Sequence, residues 1–528
     1  MMLDLLIENV EVFDGTGTDP VIRNVGVRNG KIVFLSTKNA EAVTVMDGAG
    51  LSLAPGFIDS HSHADSQVYQ NPSRWEKLKQ GVTTEIGGLC GWSPAPFSAD
   101  APAAYIEYIR TANPVSHYAT FGEAMDALQT MQFGCHQANF VGHHSLRGSV
   151  VGMENRPASA KEIDRMCALT EEAMQSGAFG FSSGLVYAPG VYCTSEELNA
   201  IAKVVGRYGG KYSTHIRDEG DHLMESVEEA IRVGAEGGIP VNISHMKAMF
   251  PENYSKLDTV LEKIDKENAQ GAHITFDVYP YEACSATILS TLPPSYLSHG
   301  MDWLMEHLEG EENIAALRKA IYEPTETWEN PVARIGIKNL LIAHAEKTPD
   351  LIGMRISEYA QKKGLDDIAA YAEVIRRNEG KVQDIRFSMS EENIGKLYSH
   401  PMCMVGSDGL YKGLPTKAHV RSFATFTKYL GYYIREKKVL PFAEGIRRMT
   451  GMPADEYGLK NKGYIKEGYD ADLVLFDKNT IGATATYTDP YLPNTGICTV
   501  FSCGKAVVVD NELTGVMAGR PLLRNTES

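Results

Sequence analysis

The chain has no run of lysine and arginine, no CxxC pair, and no apolar stretch near the roughly 18 residues needed to cross a bilayer. Each absence removes a class of function. Lys and Arg total 50 against 67 Asp and Glu, a net charge of -17, so nothing here neutralises a phosphate backbone, and nucleic acid and anionic membranes are excluded as expected partners. Cysteine is sparse. The eight present (Cys90, Cys135, Cys167, Cys193, Cys284, Cys403, Cys498 and Cys503) have the spacing of neither a disulfide framework nor a zinc knuckle, and point to a reducing compartment. At the N-terminus, MMLDLLIENVEVFDG carries Asp4, Glu8 and Glu11 where a secretory signal needs apolar residues. A soluble, cytoplasmic protein is expected. With 43% hydrophobic and 22% charged residues the composition is globular, and 528 residues allow several units or one large barrel with attachments.

The first fifty residues alternate apolar and polar positions between glycines, as in LLIENVEVFDGTG and VIRNVGVRNGKIVFL, which predicts short antiparallel strands. From Gly463 the same texture returns in YIKEGYDADLVLFD and GICTVFSCGKAVVVDNEL. Two half-sets of strands at opposite ends can complete one β-sandwich only if the intervening chain closes on itself. Between them, eight buried-strand candidates alternate with helical patterns: 56–63, 81–91, 138–147, 178–187, 211–219, 240–248, 273–283 and 402–410. One such helical pattern places Val227, Ala230, Ile231 and Gly234 on one face. Eight βα units predict a (β/α)8 TIM-like barrel. The expected organisation is α/β: a composite β-sandwich from 1–54 and 463–528, a barrel over 55–462, and a subdomain of about 286–345 inserted between strands seven and eight.

The strongest local signal is His61-Ser62-His63 after the apolar Gly56-Phe57-Ile58. Residues two apart on a strand face the same side, so both imidazoles reach one ion. Other strand ends add Cys90, His215, His245 and Asp408, all chemically suited to zinc. Singly, each has an ordinary structural reading: a small buried thiol, a hydrogen-bonded core histidine, a turn carboxylate. Their joint placement at equivalent ends of five strands, where such barrels carry their chemistry, outweighs those readings. Lys247, two residues beyond His245, is expected to point into the same cavity. The adjacent pair His143-His144 reads as structural, because neighbours on a strand face opposite ways.

At this point the chain resembles the amidohydrolase superfamily and, within it, the N-acyl-D-amino-acid deacylases, through APGFIDSHSHAD, GVTTEIGGLCG, GAFGFSSGLVY, THIRDEG, SHMKA, FDVYPYEACSAT, GSDG and GYDADLVLFD. The related hydantoinase and dihydroorotase branches bridge their metals with a carboxylated lysine from strand four. Strand four here has no lysine, and Cys90 on strand two takes that place, as in the D-aminoacylase branch. The resemblance implies a tighter zinc site of Cys90, His215 and His245, and a second, weaker one of His61, His63 and Asp408, with Cys90 as a shared ligand. It further implies that Asp408 shuttles the proton of amide hydrolysis. The carboxylate of an N-acyl amino acid would be held by Lys247, Ser285, Tyr187 and Arg421, with Tyr281 lining the pocket. His419-Val420-Arg421 stands where the family has H-P-R, which bears on the clamp.

Because 283–300 contains no Lys or Arg, a neutral or hydrophobic D-amino acid is the expected substrate. The alternatives are another amidase of the superfamily acting on N-acyl amines, dipeptides or cyclic imides, and a non-catalytic hydantoinase-like scaffold. Oligomeric state is open, a homo-oligomer included.

Overall fold

In the computed structural model, which describes residues 2–38, 40–98, 100–112, 118–326, 328–411 and 416–524, the β-rich ends of the chain meet in one nine-stranded sheet. Ser52–Pro55 joins the halves by pairing antiparallel with Leu473–Phe476. Their inward residues, among them Ile7, Val25, Leu53, Leu473 and Phe501, form a shared apolar core. The expectation of purely antiparallel strands needs correction. Leu3–Val12 pairs in parallel with both Ala42–Asp47 and Ser52–Pro55, because the hairpin Val21–Arg28 and Lys31–Ser36 returns the chain in its starting direction.

All eight barrel runs form strands: β1 (Phe57–Asp59), β2 (Val82–Gly87), β3 (His136–Asn139, resumed at Val141–Gly142), β4 (Gly180–Gly184), β5 (Lys211–His215), β6 (Val241–Ile243), β7 (Ile274–Val278) and β8 (Cys403–Val405). Neighbours pair in parallel from β1 through β8. Closure between β8 and β1 comes from the parallel Ser62–Gly409 bridge and from Asp408 N donating to His61 O at 2.8 Å. Every strand position from β1 to β8 is buried apart from Lys211, consistent with a parallel sheet covered on its outer face by helices. The helix Leu223–Gly237 does this with Val227, Ala230 and Gly234 buried, while Ile231 is only half-buried.

Two boundaries differ from the sequence reading. The third run stops being a strand at Gly142, and His143–Val150 is helical, so His143 and His144 open a helix rather than alternate along a strand. Between β7 and β8 the extra structure extends past the expected 286–345. Ala283–Thr287, Val382–Phe387 and Leu340–Ala345 make a three-stranded antiparallel sheet whose middle strand is the last in sequence. Six helices, from Pro294–Leu297 to Asp367–Arg377, pack on it around Leu289, Leu304, Leu317 and Tyr371. Its closing strand pairs with partners some 40 and 100 residues away in sequence, a connection no local signal marks. Among the described residues no helix is long and apolar enough to cross a membrane.

A buried charge network ties the barrel seam. Lys77 Nζ donates to Asp59 Oδ2 at 2.7 Å and to Ser407 Oγ at 2.5 Å, and Ser407 N donates to Asp59 Oδ1 at 2.8 Å. Beside it Arg74 makes a two-pronged pair with Glu85 on β2, at 2.8 and 2.7 Å. Removing one partner of a buried pair strands the other charge, at a cost of about 3–5 kcal/mol. Lys77→Met is therefore expected to lower stability by about that amount in urea unfolding; a loss below about 1 kcal/mol would show that Asp59 does not need this ammonium.

Candidate metal centre and catalytic cleft

The strand ends bring five donor side chains, His61, His63, His215, His245 and Asp408, around the sulfur of a sixth, Cys90. Cys90 Sγ lies 3.3 Å from His61 Nε2, 3.4 Å from His245 Nε2 and 4.0 Å from His215 Nδ1. Two groups of ligand atoms result, His61-His63-Cys90-Asp408 and Cys90-His215-His245, each with all its atoms within 4.8 Å of one another and Cys90 common to both. All six are buried except His63, which is half-buried. Donors spaced this way suit a four-coordinate ion, whose ligand bonds of about 2.0–2.3 Å put neighbouring donors a little over 3 Å apart.

Local backbone geometry contributes. Cys90, His245 and Asp408 have φ values of 50°, 35° and 47°, left-handed for non-glycine residues. Such conformations cost about 1–3 kcal/mol each and persist where surrounding structure enforces them. Asp277 on β7 does so for His245, accepting from its backbone N at 2.8 Å, and its Oδ1 also lies 3.3 Å from His61 Nδ1. Asp59 acts similarly at the other edge, accepting from His61 N at 3.3 Å while binding Ser407 beside Asp408.

Charge favours the ligand form of Cys90, His215 and Asp408, whereas against the opposing effect of burial the neighbouring Asp277, Cys90 and Asp408 raise the pKa of His61, His63 and His245. Burial pushes the Cys90 thiol up, yet the nearby imidazoles of His61, His245 and His215 outweigh it and hold the thiol well below its usual value. Burial lowers His215, which favours neutral imidazole. Burial also opposes ionisation of Asp408, but Arg421 and the surrounding histidines overcome it and keep the carboxylate ionised. Asp408 Oδ1 is 3.0 Å from His63 Nε2, and Oδ2 is 2.8 Å from Arg421 Nη1.

A cavity of about 80 Å³ opens onto this cluster, with His63, Cys90, Asp408, Tyr187, Ser285 and Arg421 in its wall. Gln67, Gln70, Trp92, Thr287, Gln383 and Leu410 are also in the wall. Of the expected substrate contacts, Tyr187, Ser285 and Arg421 thus face the cleft. Tyr187 stacks edge-on against His215 at 4.9 Å, and Arg421 donates to Ser285 O at 2.8 Å.

Two residues differ from expectation. Lys247 is not in the cavity wall; its ammonium lies behind His245, donating to Glu219 at 2.6 Å and sitting 2.7 Å from His245 Nδ1. Tyr281 turns away from the cleft and packs against His419 and Tyr487. The nearby aromatic is instead Tyr279, whose ring lies 4.7 Å from the Arg421 guanidinium. Residues two apart on an extended strand share a face; Tyr279 and Tyr281 part because the chain leaves β7 at Val278 and turns, Tyr281 N donating to Tyr279 O at 3.0 Å.

Three functional neighbours escaped the sequence reading. Glu219 links the histidines of β5 and β6, 3.6 Å from His215 Nε2 and 3.1 Å from His245 Nδ1; its place at the end of THIRDEG, four residues after His215, was the available signal. Asp277 carried the weaker signal of a carboxylate inside an apolar strand. Arg386, on the closing strand of the inserted sheet, had none. His143 and His144 hold structure: His143 Nε2 pairs with Glu197 at 2.7 Å, and His144 Nε2 donates to Gly184 O at 2.9 Å.

The Amidohydrolase family model matches residues 44–278 and 315–509. The chain is 32% identical over 522 residues to a D-aminoacylase of Alcaligenes xylosoxydans xylosoxydans, covering 99% of this chain and 98% of that one. It is also 32% identical over 510 residues to an N-acyl-D-glutamate deacylase of the same organism, covering 96% and 93%. Among solved structures it superposes with a TM-score of 0.84 and 28% identity on the N-acyl-D-glutamate deacylase of Bordetella bronchiseptica, covering 99% of this chain and 100% of that one. That enzyme is complexed with zinc and a phosphonate that mimics the tetrahedral intermediate.

Two outcomes are expected. Cys90→Ala, which removes the donor common to both groups, should lower metal affinity at least about 100-fold, read by competition with a chromogenic chelator; unchanged metal content would remove Cys90 from the ligand set. Burial, then the charge of His143, lower the His144 pKa to about 3. Between that value and the unfolded value of about 6.5 the unfolded chain binds the extra proton, so His144 contributes stability present above pH 6.5 and lost as pH falls towards 3. His144→Gln should flatten that part of the stability profile in urea unfolding; an unaltered slope would assign the acid lability to another group.

Proposed function

The chain belongs to the amidohydrolase family, and from that premise we propose that it is a zinc-dependent hydrolase that splits the amide bond of N-acyl-D-amino acids into a carboxylate and a free D-amino acid. The observation that carries this reading is the buried convergence of Cys90, His215 and His245 with His61, His63 and Asp408 at one mouth of the barrel. Thiolate, imidazole and carboxylate are the ligand set zinc prefers. In this reading Cys90, His215 and His245 hold the tighter ion, and His61, His63 and Asp408 with Cys90 form the weaker site. Bound there, zinc supplies Lewis acidity that polarises a carbonyl and acidifies water.

The remaining work falls to side chains. Asp408, ionised and at the cleft wall, accepts the proton of the attacking water and returns it to the leaving nitrogen. Arg421 and Ser285 take the substrate carboxylate, with the guanidinium exchanging Asp408 for the ligand's charge. Tyr187 closes the wall beside His215. Lys247 and Glu219 act from behind, fixing the ring of His245. A neutral side chain fits the remaining surface of Trp92, Leu410, Thr287 and Gln383. Of the other cations, Lys247 is held by Glu219 and Arg386 by Asp384 through bonds of 2.7 and 3.0 Å. An acidic side chain would therefore find no free counter-charge, which favours a neutral substrate over the D-aspartate and D-glutamate derivatives for which two relatives are named.

We further assign 1–54 with 463–513, short of the expected 528, to one composite β-domain and 55–462 to the barrel, whose third strand Pro521–Leu522 joins in parallel, with the inserted unit running over 283–387. All eight cysteines are free thiols, which supports a reducing, cytoplasmic setting.

A hydrolysis screen over paired D and L N-acetyl amino acids tests the reading. N-acetyl-D-leucine should turn over, its L isomer and its amide-capped form should not, and chelator should abolish the activity. Asp408→Asn should retain the fold and lose about 10²–10⁴-fold in kcat. Equal turnover of the capped form would favour a general amidase, and near-normal activity in Asp408→Asn would remove that residue from catalysis.

A further inference from the structure

A second cavity, of about 480 Å³, lies on the far side of Tyr281 from the metal cleft. Its floor is a π-helix, Tyr429–Glu436, which continues the helix Arg421–Lys428, and its roof is the loop through Gly482 and Ala485. π-Helical turns are rare and concentrate at functional sites. Floor and roof are in close contact: a Cβ on Gly431 would come within 2.6 Å of Ile481 O, so the cavity is a fixed gap between rigid elements.

The cavity holds a cation without a counter-ion. Lys428 is half-buried, its Nζ 4.1 Å from the Tyr281 ring centroid and 5.9 Å from that of Tyr432. Among the described residues it makes no ion pair and no hydrogen bond; Glu282 and Glu391 act on it only from beyond ion-pair distance. Burial, the larger effect, lowers its pKa, the expected response of an ammonium short of partners. The second observation is Tyr281 itself. Its side chain is 3% exposed, it lines this cavity, and its hydroxyl has no hydrogen-bond partner. A buried hydroxyl left unpaired costs about 1–3 kcal/mol, which an acceptor in the cavity would recover.

The remaining charges fix the valence of the occupant. Arg435 is already held by Ile481 O and by Glu436 at 3.1 Å, which leaves Lys428 as the uncompensated charge of the wall. One positive charge, the unpartnered hydroxyls of Tyr281 and Tyr487 and a lining of tyrosine faces match a single negative charge on an apolar body. We infer that this cavity is a second binding site, for a small organic monocarboxylate, with the carboxylate on Lys428 Nζ and Tyr281 Oη and the apolar part against the rings of Tyr281, Tyr432 and Tyr487. The site is separate from the metal cleft, since Tyr281 and His419 stand between them, His419 Nε2 donating to Ala283 O at 2.9 Å and its Nδ1 accepting from Arg421 N at 3.0 Å.

The test is calorimetric titration of the metal-loaded full chain with benzoate, repeated after chelation and with Lys428→Met and Tyr281→Phe. Benzoate should bind once per chain. Affinity should fall about tenfold or more in Lys428→Met, which removes the charge at nearly constant volume, and at least about threefold in Tyr281→Phe, which removes only the hydroxyl. Chelation should leave it within about twofold. If Lys428→Met does not fold by circular dichroism, Tyr281→Phe decides alone. Absence of binding to the wild-type chain, a smaller change than stated in the folded variants, or loss of binding on chelation, which would put benzoate in the metal cleft, would each overturn the assignment.

Discussion

Parallel strands share a direction, and everything at this centre follows from that constraint. When eight parallel strands close into a barrel, the residue just past the C-terminal end of each strand faces a common mouth, whatever its distance along the chain. Cys90 after β2 meets His61 after β1, His215 ending β5, His245 after β6 and Asp408 after β8. The sulfur at the middle is the point where the two donor groups overlap, which makes it the one atom whose position both depend on.

Holding so many polar groups out of water requires that each have a partner. The structure answers much of this with carboxylates behind the donors, some at hydrogen-bond and some only at ion-pair distance. Asp277 fixes the backbone of His245, Glu219 links His215, His245 and Lys247, and Asp59 couples His61 to the Ser407 that precedes Asp408. These carboxylates are as buried as the donors, and Lys247 balances the charge of Glu219 as Lys77 balances that of Asp59. The left-handed backbone at Cys90, His245 and Asp408 is sustained by this lattice, and its rigidity is what allows the donors to keep ligand spacing.

The cleft chemistry sorts substrate from machinery in the same way. Arg421 bridges them, its guanidinium on Asp408 on one side, on Ser285 O on another and over the face of Tyr279. Arg386, one wall away, is neutralised within its own strand by Asp384, so the inserted sheet contributes surface to the cleft without contributing net charge. The difference between the two arginines is one of pairing, and pairing is a tertiary property.

The division between what the sequence decided and what the fold decided follows from range. Strand runs, the HxH pair, the donor types at strand ends and the absence of lysine on strand four are local patterns, legible because a strand alternates every residue and a parallel barrel needs only the order of its strands. The sequence therefore determined a barrel with donors at its mouth. How the side chains of Tyr279 and Tyr281 part after β7, whether Lys247 lines the cavity or lies behind His245, where the inserted sheet ends, and that His143 opens a helix were decided only by packing. Each turns on a register or on a partner far away in the chain, as Arg386 with Thr287 or Lys77 with Ser407, and the free energy that selects it exists only once both segments are buried together.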